Sequence, residues 1–74
     1  MSLFPSYSEI DVRFQQAERH ENYMEWRRLS DWMDALGALA RAYSSVSKAE
    51  WYERLALLAY QRAKAMEPQE EEAA

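Results

Sequence analysis

The side chains able to do chemistry are few in this 74-residue chain, and they are scattered. General acid–base work would fall to His20, the single histidine, with Arg19 and Glu21 beside it. A nucleophilic triad needs three groups held in mutual reach, and no serine nucleophile motif accompanies His20. In that setting it suits a surface or hinge histidine better than a general base. Metal chemistry meets the same obstacle. A di-iron helical bundle uses Glu-x-x-His pairs, but Ala17 stands three residues before His20. Glu18, Glu21 and Glu25 lie near one face and read as a solvated acidic patch. With no cysteine there is neither a thiolate zinc site nor a disulfide. No catalytic, metal-ligating or cofactor-binding residue is assigned, no cofactor is expected, and the chain is read as a non-enzyme.

The aromatic residues Trp26, Trp32, Tyr43, Trp51, Tyr52 and Tyr60 invite a pocket reading. They fall at helical spacing, however, and short helices leave little room for a ligand cavity of ~300 Å³. Tryptophan and tyrosine also dominate binding hot spots, so they point to core and to interaction surface. Nucleic-acid binding is the rival reading, with KAEWYERLALLAYQRAK (48–64) as the recognition helix of a helix-turn-helix regulator. Its bases Lys48, Arg54, Arg62 and Lys64 do not line up on one stripe, and Leu57 and Tyr60 interrupt its outer face. Phosphate binding needs clustered positive charge. Charge here is balanced instead. Residues 1–66 hold nine acidic and nine basic residues, and the net charge of −4 comes from Glu67, Glu70, Glu71 and Glu72.

The elements that would position these residues are helical. Trp26, Leu29, Met33, Leu36, Ala40 and Tyr43 recur at alternating spacings of three and four, the seam of an a/d heptad. Trp32 and Leu39 widen that seam, while Ser30 and Gly37 thin its other flank and let a second backbone come close. The spacing predicts a helix over 23–43, a rod of roughly 30 Å. A first helix over 7–19 follows from Ile10, Phe14 and Ala17, with Ser6–Glu9 or Ser8–Asp11 as its cap. The apolar stripe changes phase near His20–Asn22, and Asn22 with Glu25 has the form of an N-cap, so a bend or break is predicted there. A last helix over 47–66 is expected to start at a Ser47–Glu50 capping box with a Val46–Trp51 staple. It should carry Trp51, Tyr52, Leu55, Leu58, Ala59, Ala63 and Met66 inward. A three-residue connection, Ser44-Ser45-Val46, makes the second and third helices antiparallel neighbours.

The fold class expected is all-α, one domain over 1–66, with a short N-terminal helix, an antiparallel helical hairpin and a disordered acidic tail over 67–74. A chain this short leaves a large fraction of its surface exposed, and without disulfides or metal the remedy is assembly. A homodimeric bundle is therefore expected, with Trp26, Leu29, Trp32, Met33, Leu36, Leu39 and Tyr43 at the dimer seam. No stretch has the ~18 apolar residues of a membrane span and the start resembles no signal peptide, so a soluble, cytoplasmic protein is expected. The outward residues Leu57 and Tyr60, with Tyr23 off the main stripe, are surplus apolar surface and are assigned to a larger protein partner. Small cysteine-free domains of this kind are frequent among phage-borne inhibitors and regulatory subunits. The function expected is an inhibitor or adaptor acting by protein–protein contact.

Overall fold

The computed structural model describes residues 3–67; the expected tail beyond Glu67 lies outside them. Among the described residues the chain forms three helices and no strand: α1 (Tyr7–His20), α2 (Tyr23–Tyr43) and α3 (Val46–Met66). Each begins at a polar side chain that takes up otherwise unpaired backbone donors. Ser6 Oγ accepts from the Glu9 amide at 3.1 Å and starts α1, leaving Ser8 inside the first turn. Asn22 Oδ1 accepts from the Met24 and Glu25 amides at 2.8 and 3.4 Å and starts α2 where its spacing predicts.

The break between α1 and α2 falls within His20–Asn22. Glu21 adopts the left-handed conformation (φ 50°, ψ 48°) and its amide donates to the Ala17 carbonyl at 3.0 Å. A non-glycine residue there costs roughly 1–2 kcal/mol. The turn lets α1 fold back on α2, which one continuous helix would prevent.

The start of α3 departs from expectation. Its cap is Ser45, whose Oγ accepts from the Lys48 amide at 3.1 Å, so Ser47 is a first-turn residue and the Ser47–Glu50 box does not form. Val46, the residue expected to staple the start, is exposed. The connection is thus Ser44 and Ser45 alone, with the Ser44 amide closing α2 on the Ala40 carbonyl at 2.8 Å. The cap lies two residues earlier than expected, and α3 turns a different stripe inward. Ala49, Tyr52, Ala56, Ala59 and Ala63 are buried, whereas Trp51, Leu55 and Met66 are half-buried and Leu58 is exposed.

That stripe has the same alternation of three and four as α2, and the two helices pack closely. Ser30 Oγ donates to the Ala56 carbonyl at 3.3 Å. A methyl built on Gly37 would lie 3.6 Å from both the Ala49 carbonyl oxygen and the Tyr52 Cβ. Arg41 meets Glu53 at 2.8 Å, and Tyr23 shares a cleft with Tyr60 and Ala63. Position therefore falls along α3 as it rises along α2, and the helices run in opposite directions. The small residues Ser30 and Gly37 are what allow this approach.

Contacts with α1 are made through large side chains. Phe4, just before α1, stacks on Tyr52 at 5.9 Å, Tyr7 meets Trp51 edge-on at 4.9 Å, and Phe14 meets Trp26 edge-on at 5.7 Å. Glu18 pairs with Arg62 at 3.0 Å. Helix α1 thus runs parallel to α3. Two buried clusters result, one around Met33 and Tyr52 and one around Trp26, with Phe14 and Trp32 packed against both. Fully burying Trp26, Met33 and Tyr52 contributes about 1.5–3 kcal/mol apiece as a gross transfer term.

Candidate functional site

The residues expected at a dimer seam are distributed by this packing. Trp26, Leu29, Met33 and Leu36 are buried within the single chain, under α1 and α3. Trp32 and Leu39 are half-buried and also pack on the core. Tyr43 does not join the apolar stripe: it is 73% exposed at the last position of α2, because that helix ends before the stripe's next neighbour on α3 can cover the ring.

The three residues assigned to a partner fall on the side of the α2–α3 pair away from α1. Helix α3 meets α1 through Trp51, Leu55 and Arg62; Leu57, Tyr60 and Lys64 lie on nearly the opposite side of its wheel. Leu57 is 56% exposed and Tyr60 49%. Tyr23, on the first turn of α2, is half-buried and lines a small cleft of about 70 Å³ with Tyr60 and Ala63. Arg27, Lys64 and Glu67 form the cleft's polar rim. The antiparallel packing therefore brings Tyr23 and Tyr60 together, with Leu57 one turn earlier on α3.

Local contacts hold this surface in shape. Arg27 Nη1 donates to the Tyr23 hydroxyl at 2.9 Å, and its guanidinium lies 5.9 Å from the ring centre. That hydrogen bond raises the Arg27 guanidinium above its ordinary range. Lys64 lies 3.6 Å from Glu67. A further turn away, Arg41 and Glu53 close the α2–α3 seam from outside. The arrangement is an apolar patch with a charged rim.

His20 lies at the α1–α2 break, with Nδ1 3.0 and 3.1 Å from the Glu25 carboxylate oxygens. The pair ties the end of α1 to the first turn of α2 and leaves the imidazole exposed. Among the described residues no three His, Cys, Asp or Glu side chains are placed to hold one metal ion, and no helix is long and apolar enough to cross a membrane. The bases of α3 are dispersed. Lys48 sits over the Phe4 ring at 4.1 Å, Arg62 over Trp26 at 5.5 Å, and Lys64 at Glu67.

Sequence reasoning overlooked two features. Ala59 and Ala63 are inward as expected, but the inward Ala49 and Ala56 of α3 were hidden behind Leu55 and Leu58, although the stripe's spacing of three and four was the available signal. The second is an open groove of about 560 Å³ between α1 and α3, lined by Tyr7, Phe14, Trp51, Leu55 and Leu58 among others. No signal within one helix announces it, because its walls come from residues 44 positions apart, the separation of Glu18 and Arg62. Comparison with protein-family models, with curated proteins and with solved structures finds no match to this chain.

Proposed function

We propose that this protein is a non-enzymatic interaction module that binds a larger protein and inhibits or adapts it, working as a homodimer. The observation that carries the reading is the bare apolar surface formed by Leu57, Tyr60 and Tyr23, rimmed by Arg27, Lys64 and Glu67. Grouped apolar residues with a polar border are the usual mark of a docking site, and tyrosine is among the residue types that carry most of the energy at such sites. The dispersal of Lys48, Arg62 and Lys64 over different neighbours supports a protein partner over DNA.

The test is the double variant Leu57→Lys/Tyr60→Lys. Both side chains are exposed, so helical circular dichroism should be unchanged. Capture of the partner from a lysate of the source cells should fall by about tenfold or more, since hot-spot losses reach ~2 kcal/mol or above. Undiminished capture would sink the choice of surface. Tight binding to duplex DNA at low salt, lost steeply as salt rises, would favour the regulator reading instead.

A further inference from the structure

We infer that a second copy of this chain packs on the groove between α1 and α3, about a two-fold axis that sets Asp11 of each copy against Arg54 of the other. The inference rests on the homodimer reading above and names the face that the dimer uses. Four of the seven residues first expected at a dimer seam, Trp26, Leu29, Met33 and Leu36, are buried within one chain, so a dimer needs another apolar surface. This groove offers one: its walls include Tyr7 and Leu58, 68% and 42% exposed.

The register of the two helices identifies the occupant. Tyr7 faces Trp51 and Glu18 faces Arg62, so α1 and α3 run side by side, parallel, with a constant offset of 44 positions. Asp11 on α1 is therefore level with Leu55 on α3, and Arg54 is one residue away. Asp11 borders the groove, its carboxylate accepting from Gln15 at 3.0 Å. Arg54 is exposed, three residues after Trp51 and four before Leu58, which puts it beside both on the helix surface. Among the described residues it has no ion pair or hydrogen bond. One wall of the groove thus carries an acid and the other carries a base, at one height.

That pattern is self-complementary. A two-fold axis running along the groove, parallel to the two helices, lays α1 of each copy over α3 of the other, in the same direction. Asp11 then meets Arg54 of the second copy, and the same pair recurs by symmetry. The operation also sets Tyr7 against Trp51 of the second copy and Phe14 against Leu58, large apolar groups on large apolar groups. A helix from an unrelated protein would need its own basic and acidic residues at this one level; a second copy has them by construction. The face is roughly 21 Å long, the length of α1, and about 20 Å across two helices. It falls short of the ~800 Å² per partner of a standard interface, so the dimer should be micromolar in strength.

The experiment is sedimentation equilibrium of the full chain from about 5 to about 500 µM, spanning weak and moderate association. The unaltered protein should pass from monomer to dimer in that range. Asp11→Arg or Arg54→Asp alone should weaken the dimer about tenfold, because each sets like charges in contact twice. The double exchange Asp11→Arg/Arg54→Asp should return it to within about threefold of the original, the signature of a direct pair. Mixing Asp11→Cys with Arg54→Cys chains under mild oxidation should yield the mixed disulfide in excess over either homodimer. Leu57→Lys/Tyr60→Lys should leave the dimer intact. A protein monomeric throughout, a double exchange that fails to rescue, or a dimer lost through Leu57→Lys/Tyr60→Lys would each overturn the inference. Loss of partner capture alone bears on the proposed function and not on this interface.

Discussion

Where α3 meets α2, four of the five inward residues are alanines, Ala49, Ala56, Ala59 and Ala63, beside Tyr52, with Gly37 and Ser30 opposite, and a serine hydroxyl reaches across to a backbone carbonyl. Where α2 and α3 meet α1, the contacts are rings: Tyr7 on Trp51, Phe14 on Trp26, and the Arg13 guanidinium 5.2 Å from the Trp32 ring centre. One contact is defined by how little lies between the backbones, the other by how much. The tight seam leaves little room for added volume, and its register is set by backbone shape. The α1 side depends on volume being present, and its grooves stay open between the rings. Open apolar surface is thus found where bulky residues hold helices apart, and at the outer margin of the seam where Tyr23 and Tyr60 emerge.

The two contacts should break in opposite ways. Trp26→Ala removes the largest fully buried side chain from the α1 side and should cost about 3–5 kcal/mol, read as a drop in the denaturant midpoint. The Trp26 indole Nε1 is buried with no hydrogen-bond partner among the described residues. Trp26→Phe should therefore cost much less than Trp26→Ala, since it removes an unpaired donor along with part of the ring. Ala59→Leu is the reverse operation, adding bulk to a residue with no exposed surface, and should cost about 1–3 kcal/mol by overpacking. If Ala59→Leu proves neutral in the same titration, the seam is not close-packed and the contrast fails.

The smallest effect sharpens the limit of that tightness. A Cβ at Gly37 would meet Glu53 Cγ at 3.4 Å and its other neighbours at 3.6 Å, ordinary contact distances. Gly37→Ala should then raise stability by about 0.5–1 kcal/mol through helix propensity alone. A loss in thermal midpoint would show that the helices sit closer than those distances.

Helix identity was legible because long apolar periodicity and side-chain caps are local signals. Asn22 and Ser6 act as caps, and the phase change of the stripe marks the break that Glu21 makes. The start of α3 was misread because Ser45 and Ser47 offer equivalent hydroxyls, and the choice between them depends on which stripe fits α2. Alanine is the deeper reason. Leu55 and Leu58 carry a stronger hydrophobic signal than Ala49 and Ala56, yet the close approach to Gly37 and Ser30 favours the smaller pair. Of the surface residues, Tyr23 and Tyr60 were singled out separately for being off the main stripes. That they share one cleft is a property of the pairing between helices, as is the groove walled by α1 and α3.

The connection of only Ser44 and Ser45 also has a kinetic meaning. Closing so short a loop carries little entropic cost, and the contacts nearest to it, such as Gly37 with Ala49, are close in sequence. Chains dominated by local contacts fold in microseconds to milliseconds. The α2–α3 pair should therefore zip from the two serines outward. Helix α1, whose partners on α3 lie 44 positions away, should dock last and be the first part to leave.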